Sequence, residues 1–316
     1  MRTPWSASAL VVLTALLLAR VSWPEVPAPA AAARGASADP VIAAAGDIAC
    51  SPNDPQYNEG IGTPDACRMR YASNLLMEGD LTAVLVLGDS QYEDEGSIDF
   101  GASYDPTWGR AKAITRPAPG NHEYAVAGAS DYYTYFGAAA GDPARGYYSY
   151  EIDSWHIVAL NGADCSVVAC DAGSAQEQWL RADLAAHPTA CTLAYWHQPR
   201  FSSGLHGSDP TYAAFWRGLY AFHVDVVLNG HEHDYERFAP QDPDGTADPV
   251  NGIREFVVGT GGRTHYRFGV IERNSEVRNA DTFGVIKLTL HPNSYDWEFV
   301  PEAGRTFTDS GSDFCH

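Results

Sequence analysis

The chain of 316 residues carries 40 Asp and Glu against 20 Lys and Arg, which gives a formal net charge of −20. Proteins that hold nucleic acid through its phosphates need clustered cations, so this balance argues against nucleic-acid binding through a basic patch. With 45% hydrophobic residues the chain can bury a large core, and global disorder is excluded. The length suits one large α/β domain or two small ones.

The N-terminus has the pattern of an export signal. Arg2 precedes an apolar run, Ala7–Ala19, that matches the apolar region of a signal peptide and is short for a membrane span. Small-residue cleavage patterns follow within residues 28–38, in a Pro/Ala-rich stretch without apolar periodicity. We therefore predict that residues 1–38 are a signal peptide with a Pro/Ala-rich segment. Residues 39–316 would then be a secreted domain without a membrane span, and an uncleaved N-terminal anchor is the alternative.

Apolar runs bounded by turn residues alternate with segments of helical spacing along the mature chain. Such runs are typical of strands buried on both faces. They predict strands at 41–45, 83–87, 192–195, 224–228, 253–258, 285–290 and 295–300, and the helical spacing predicts helices at 67–78, 174–187 and 211–222. The second helix begins with Ser174 and has Glu177 three residues later, which is a capping-box pattern. A mixed α/β core followed by strand-rich sequence indicates one α/β sandwich.

The six cysteines all follow the export signal. An even number of cysteines in an exported chain indicates disulfide bonds, and no spacing repeats the CxxC pairs of a structural zinc site. Six cysteines allow many pairings, so the spacing alone does not decide among them. Proximity along the chain favours the pairs Cys50–Cys67 and Cys165–Cys170, which leaves Cys191 for Cys315.

Five groups of residues with metal-ligand chemistry lie on turns after strands, where α/β folds place their ligand sites. The groups are Gly46-Asp47, Gly88-Asp89, Gly120-Asn121-His122-Glu123, His197 and Gly230-His231-Glu232-His233. A glycine before a ligand permits the tight turn that aims the side chain inward. A single Gly-Asp pair usually marks a turn and no more. Together and in this order, carboxylates, imidazoles and one amide indicate a centre for divalent or trivalent metal ions.

The series resembles the motifs of the calcineurin-like metallophosphoesterases over nearly all of residues 41–238. Most of that superfamily has a metal-binding histidine where this chain has Ala49. Tyr92, three residues after Asp89, is placed to replace that ligand, which is the arrangement of purple acid phosphatases. That family usually has glycine at the position of Ala49, and Tyr235-Glu236-Arg237 is also similar to it. The resemblance implies an α/β fold, a calcineurin-like metallophosphoesterase sandwich of two mixed β-sheets flanked by helices.

The resemblance also implies two metal ions bridged by Asp89. The ligands of an Fe(III) ion would be Asp47, Asp89, Tyr92 and His233. The ligands of a divalent Fe, Zn or Mn ion would be Asp89, Asn121, His197 and His231. A phenolate is a hard anionic oxygen donor and favours trivalent iron, which supports the role of Tyr92 over that of a surface aromatic.

Two further histidines are candidates for action on the substrate. His122 adjoins the ligand Asn121, so its ring can approach the same cleft and act as a general acid or as a donor to phosphate oxygen. His206 lies nine residues past His197, where purple acid phosphatases are similar in having a substrate-side histidine. A solvated loop histidine is the alternative for His206. Arg200 and His265 are weaker candidates for phosphate contacts.

The sequence thus predicts a secreted dinuclear-metal phosphatase that hydrolyses monoesters of small phosphorylated substrates. Two metal ions about 3.5–4 Å apart can clamp an in-line displacement, and a metal-bound hydroxide would attack phosphorus. The nearest alternative is a phosphodiesterase, which needs the same metals and differs in its pocket walls. The alternative from another class is a secreted phosphate-binding protein without turnover. The intact His122 and all seven ligand positions argue against that alternative.

Overall fold

The computed structural model of the protein describes residue 1, residues 38–163 and residues 165–316. The predicted signal peptide therefore lies almost wholly outside the described residues. Asp39–His316 pack as one unit. Among the described residues, no helix has both the length and the apolar character that crossing a bilayer requires.

The regular structure of this unit consists mainly of short strands. In chain order they are β1 Val41–Ala45, β2 Ala83–Leu87, β3 Thr115–Ala118, β4 Tyr148–Ile152, β5 Trp155–Ala159, β6 Cys191–Tyr195, β7 Val226–Asn229, β8 Tyr235–Phe238, β9 Arg254–Val258, β10 Ser275–Asn279, β11 Gly284–His291, β12 Ser294–Pro301 and β13 Ser310–Phe314. The α-helices are α1 Met69–Asn74, α2 Ser130–Phe136, α3 Ala175–Ala186 and α4 Ala213–Ala221. The 3₁₀ helices are Asn58–Gly60, Leu75–Met77, Trp108–Ile114, Glu123–Ala125, Ala127–Ala129, Gly137–Ala140 and Pro210–Tyr212.

The strands form two mixed sheets. The first has the order β13-β12-β11-β1-β2-β3, and the second has the order β10-β8-β9-β7-β6-β5-β4. Strands β1, β2 and β3 run parallel in the first sheet, and β5, β6, β7 and β9 run parallel in the second. The other neighbours pair antiparallel. The predicted fold class, a sandwich of two mixed sheets flanked by helices, is confirmed.

Two apolar clusters hold these layers together. The larger cluster takes buried side chains from both sheets, for example Leu85 of β2 and Leu228 of β7. The smaller cluster lies under α3 and α4, where Leu180 and Phe215 pack with Val227. Successive residues of a strand point to opposite faces, so β7 supplies Leu228 to one cluster and Val227 to the other. Burial on both faces explains why this strand appears in the sequence as an unbroken apolar run.

Each predicted helix and strand is present, β1 and β2 with the predicted bounds and the others with shifted boundaries. The predicted helix at 211–222 begins as the 3₁₀ turn Pro210–Tyr212 and continues as α4. At the start of α3, Ser174 Oγ accepts the Glu177 N–H at 3.1 Å, and Glu177 accepts the Gly173 N–H at 3.1 Å. The predicted cap is therefore present, but the return bond ends one residue earlier than in a capping box.

All three predicted disulfides are confirmed, and no cysteine of the described residues is free. Cys191–Cys315 joins the start of β6 in the second sheet to the residue after β13 in the first. It encloses the longest stretch of chain of the three, with a sequence separation of 124. The C-terminal tail is thereby fixed to the second sheet.

Candidate metal centre

The seven predicted ligands lie on loops that follow parallel strands. The turns after β1, β2 and β3 carry Asp47, Asp89, Tyr92 and Asn121, and the turns after β6 and β7 carry His197, His231 and His233. The first sheet therefore supplies every oxygen donor of the set, and the second sheet supplies every imidazole. The centre forms only where the carboxyl ends of the two sheets meet.

Three of the predicted ligands hold the backbone in the left-handed region, with φ values of 60° at Asp47, 46° at Asp89 and 69° at His231. Residues other than glycine rarely adopt this conformation, and it is most frequent at functional sites that the surrounding fold stabilises. The neighbouring glycines serve a further purpose, which is close packing. A Cβ on Gly88 would lie 2.4 Å from His197 Nδ1, and one on Gly120 would lie 2.1 Å from Asp89 Oδ1.

One donor group consists of Asp47, Tyr92 and His233. The Tyr92 hydroxyl lies 2.9 Å from His233 Nε2 and 3.3 Å from Asp47 Oδ1. His233 Nε2 lies 3.2 Å from the same carboxylate oxygen. Ligands about 2.0–2.2 Å from one ion lie roughly 3 Å apart, so these separations fit a single metal ion.

The second donor group converges on His197 Nε2. This nitrogen lies 3.0 Å from Asn121 Oδ1, 3.3 Å from Asp89 Oδ2 and 3.3 Å from His231 Nδ1. Asp47, Asp89 and His197 also offer ligand atoms within 4.8 Å of one another, so the two donor groups adjoin. The bridging role of Asp89 stays a prediction of the family resemblance.

The orientation of His197 is consistent with the predicted ligand set. His197 Nδ1–H donates to the Leu87 carbonyl at 2.8 Å. The ring thereby directs Nε2 at Asp89 and Asn121, and the Asp89 carboxylate, against the effect of burial, raises the pKa of His197 to about 10, so Nε2 carries a proton in the metal-free chain. A metal ion at this point would satisfy all of these atoms, and the carbonyl is the kind of partner that orients a metal-bound histidine. The residues therefore fit a divalent ion.

The pKa values of two other members of the set also bear on that fit. Burial and the neighbouring His197 lower the pKa of His231 to about 3, so its ring is in the neutral form that binds metals. Burial and the carboxylates of Asp47 and Asp89 raise the pKa of Tyr92 well above its usual range. A phenolate at this position therefore requires a strongly Lewis-acidic cation in place of the proton.

His122 lies beside the two donor groups. Its Nε2 is 3.8 Å from Asp89 Oδ2, and its ring centroid is 4.2 Å from that of Tyr92. Its Nδ1 is 2.6 Å from Glu93 Oε2, so Glu93 holds the ring with Nε2 toward the centre. Burial opposes protonation of His122, but the carboxylates of Asp89 and Glu93 outweigh it and raise the pKa. The geometry suits a proton donor that is not a ligand.

His206 reaches the other side of the centre. Its ring centroid is 4.7 Å from that of His231 and 5.6 Å from that of Tyr266. The side chain is half exposed, so it stands at the mouth of the cleft. The weaker candidates lie elsewhere. Arg200 lines a separate cavity with Phe201, and His265 donates through Nδ1 to the His233 carbonyl at 3.2 Å, with its ring against Phe283.

Glu123 is a buried residue to which the sequence interpretation gave no role. Its Oε2 accepts the N–H groups of Asp89 at 3.0 Å and Gly120 at 2.6 Å, and its Oε1 accepts the Ser90 N–H at 2.8 Å. It therefore joins the loop after β2 to the loop after β3. Its place in the Gly120–Glu123 motif, two residues after the predicted ligand Asn121, was the available signal. Glu93 had no such signal, because a surface acid is common on any acidic chain.

Two cavities flank the centre. One of about 390 Å³ is lined by Asn121, His231, Gln198 and Tyr212 among others. The other, of about 280 Å³, is lined by Tyr92, His122, Glu93 and Arg263 among others. A substrate at the metals can therefore extend to either side.

Comparisons with known proteins agree with this geometry. Residues 42–235 match the family model for calcineurin-like phosphoesterases. Purple acid phosphatase 15 of Arabidopsis thaliana is 28% identical over 191 residues, which are 52% of this chain and 35% of that protein. Purple acid phosphatase 21 of the same plant is 30% identical over 191 residues, 53% of this chain and 42% of that protein. The chain thus spans less than half the length of these relatives.

Solved structures share the fold. Purple acid phosphatase PPD1 from yellow lupin (Lupinus luteus) seeds superposes with a TM-score of 0.69 at 19% identity, over 87% of this chain and 54% of that one. GAP50, described as the anchor in the inner membrane complex of Plasmodium, superposes with a TM-score of 0.59 at 12% identity, over 86% of this chain and 88% of that one. The family match covers more than half of the chain, including all seven candidate ligands, and the chain belongs to the calcineurin-like phosphoesterase family.

Proposed function

We propose that the protein is a secreted dinuclear-metal phosphatase that hydrolyses phosphate monoesters. The observation that carries this proposal is that two sets of facing donor atoms meet around Asp47, Asp89 and His197, with His122 beside Asp89. Asp47, Asp89, Tyr92 and His233 would hold Fe(III), and Asp89, Asn121, His197 and His231 would hold divalent Fe, Zn or Mn. The resemblance to purple acid phosphatases supports this assignment.

The two ions, when bound, supply positive charge for the phosphate oxygens and lower the pKa of a water molecule. The chain supplies the rest of the chemistry. His122 donates a proton from Nε2 to the leaving ester oxygen, while Glu93 keeps Nδ1 occupied and the ring in place. The carboxylates of Asp89 and Glu93 raise the pKa of His122 against the effect of burial, which favours the protonated ring. His206 donates to a phosphate oxygen from the opposite side.

Export is part of the same proposal. Three disulfides are expected in an oxidising compartment and are rare in the cytosol. The apolar run near the N-terminus supports export from a second direction.

A phosphodiesterase is the second candidate function. The cavities on the two sides of the centre offer space for two ester groups at once. A non-catalytic phosphate-binding protein is a weaker candidate, although the likeness to GAP50 shows that this fold is shared with a protein described as an anchor. The pairing of His122 with Glu93 argues against that candidate, because a binder does not need a poised proton donor.

Metal analysis and kinetics on the purified mature protein would test the proposal. We expect two metal ions per chain, one of them iron, and a kcat/KM for 4-nitrophenyl phosphate at least about tenfold above that for bis(4-nitrophenyl) phosphate. His223→Ala is a suitable control, because this exposed histidine lies after α4. A faster diester reaction would favour the phosphodiesterase. Full metal content without turnover of either ester would favour the binder.

A further inference from the structure

A single buried carboxylate supports the loop that carries His206. Glu232 lies between the ligands His231 and His233 and has no exposed surface. Its Oε1 accepts the His206 N–H at 2.7 Å and lies 3.3 Å from His206 Nδ1. One carboxylate oxygen therefore fixes both the backbone and the imidazole of the same residue.

The loop rests directly on this carboxylate. A Cβ on Gly204 would lie 2.4 Å from Glu232 Oε2, so the loop approaches as closely as glycine allows. The Ser203 carbonyl accepts the Gly269 N–H at 2.7 Å, and Ser203 Oγ accepts the Glu272 N–H at 2.9 Å, which holds the loop from its other side. These contacts on both sides fix the distance between the loop and the Glu232 carboxylate.

Glu232 is itself held by the turn that carries the metal ligands. Its N–H donates to the Gly230 carbonyl at 2.8 Å, and its own carbonyl accepts the Asp234 N–H at 2.7 Å. In the same turn, the His231 N–H donates to Asp47 Oδ2 at 2.8 Å. The Glu232 side chain thus links His206 to the turn that carries His231 and His233. It therefore sets the distance between His206 and these predicted ligands.

We propose that Glu232 is a positioning residue for the phosphatase reaction. It receives Nδ1–H of His206, turns His206 Nε2 toward the cleft beside His231, and sets the height at which this nitrogen meets a phosphate oxygen. This inference rests on the proposed function and adds a residue that acts only through His206. A carboxylate that orients an imidazole is a recurrent arrangement around metal sites, and its removal typically costs about 10–100-fold.

A double-mutant cycle tests the inference. Wild type, Glu232→Ala, His206→Ala and the double variant would be compared by metal content, by kcat and KM on 4-nitrophenyl phosphate, and by calorimetric binding of inorganic phosphate. We expect Glu232→Ala to keep two metals and to lose about 10–100-fold in kcat/KM. In the His206→Ala background the same change should cost less than about twofold.

Two more variants make the result specific. Glu232→Gln keeps an acceptor for the His206 N–H but loses the charge, so we expect a smaller loss than with alanine; it also replaces Glu232→Ala in the cycle if that variant does not fold. Glu255→Gln is the matched control, since this buried glutamate accepts backbone N–H groups of the same loop, from Phe201 at 3.4 Å and from Arg200, rather than that of His206. We expect it to change kcat/KM by less than about twofold.

Independent losses at Glu232 and His206 that multiply in the double variant would overturn the inference. Loss of a metal ion in Glu232→Gln would also overturn it, because the residue would then act on the ligands. If the wild type hydrolyses no phosphate ester, the proposed function fails, and phosphate binding in the same four proteins still decides the inference. Phosphate affinity that is unchanged by both single substitutions would then reject it.

Discussion

Two buried histidines of this protein lie among carboxylates, and only one of them is arranged as a metal ligand. His197 uses Nδ1–H on the Leu87 carbonyl and turns Nε2 to acceptors on Asp89 and Asn121. His156, on β5, has both nitrogens on carboxylates, with Nδ1 2.7 Å from Glu151 and Nε2 2.8 Å from Asp183. Both side chains have no exposed surface.

The two histidines differ in the partner of Nδ1, which is a backbone carbonyl for His197 and a carboxylate for His156. A carbonyl only accepts, so it takes the Nδ1–H of His197 and leaves Nε2 as the nitrogen that faces Asp89 and Asn121. Two carboxylates instead take both nitrogens of His156, so neither nitrogen is left for a metal ion. Asp183 and His187 can come within metal-binding reach of His156, yet the cluster is explained as a closed ion pair. The residue types alone do not separate these cases.

Removal of a ligand should have the largest effect. His231→Ala is expected to lose the divalent ion and to reduce activity more than about 10⁴-fold, since nucleophile and charge both depend on that ion. The comparison variant is His187→Ala in the His156 cluster, which should retain both metals and full activity. Metal content by mass spectrometry and initial rates would check this. Metal loss in His187→Ala would show that the second cluster also binds an ion.

The proton donor should come next. His122→Ala should keep both metals while kcat falls roughly 10²–10⁴-fold, the usual contribution of a general acid. The deficit should shrink as the pKa of the leaving group falls, because a nitrophenolate leaves with little help. Rates on alkyl and nitrophenyl esters measure this. An equal loss on both would mean that His122 positions the phosphate and does not donate the proton.

Tyr92→Phe should remove a spectral band. A phenolate bound to Fe(III) absorbs visible light, so the wild type should be purple or pink and the variant colourless at unchanged fold. Absorption spectra of the oxidised proteins at known iron content decide this. A colourless wild type with full-occupancy oxidised iron would reject Tyr92 as a ligand.

In the other cluster, the expected effect is on stability. His156→Gln leaves two carboxylates without their cation, and breaking a buried pair typically costs about 3–5 kcal/mol. The side chain of Glu151 is 45% exposed, which reduces this to about 2–3 kcal/mol. Urea unfolding would measure the loss, and metal content should stay unchanged. An unchanged free energy of unfolding would mean that the ion pair does not stabilise the fold.

The smallest effect should be the pH dependence of that stability. Burial opposes the charge on His156, but bonds to Asp183 and Glu151 raise its pKa above the ordinary 6.5. The bond to His156 lowers the pKa of Asp183 below its ordinary 3.8, against the effect of burial. The protonated ring therefore stabilises the fold fully below pH 6.5, and this contribution is lost as the pH rises through the raised value. His156→Gln should lose less stability than wild type between pH 5.5 and 8.5. Equal losses would contradict the assignment.

Much of this centre was visible in the sequence, because each ligand directly follows a strand or stands within a short motif. Asp47 and Asp89 end apolar runs, and the spacing of Tyr92 from Asp89 is local. Contacts between loops gave no such signal. Glu93 meets His122, and Glu232 meets His206, across 29 and 26 positions of the chain. These pairs depend on how separate loops pack, which periodicity does not encode.

The strands also divide into those that the sequence predicted and those that it did not. Runs buried on both faces, such as β1 and β2, stand out as apolar segments and were predicted with correct bounds. Strand β13 has the sequence of a turn, with Ser, Gly and Asp, and forms because it pairs with β12 at the sheet edge. The hairpin of β4 and β5 was also missed. Its register across a two-residue turn is set by tertiary pairing more than by local propensity.

The division of the ligands between the sheets gives the metal ions a mechanical role. Each ion would cross-link the two sheets at the carboxyl ends of the parallel strands, since it would bind oxygens of one sheet and nitrogens of the other. Cys191–Cys315 joins the two sheets at the amino end of β6, which is the opposite end. Because ions that bind only the assembled centre stabilise the folded state, chelation should leave the sheets cross-linked only by the disulfide. The metal-free protein should then unfold first at the end that carries the metal centre. Its resistance to proteases would measure how much of the centre is occupied by metal.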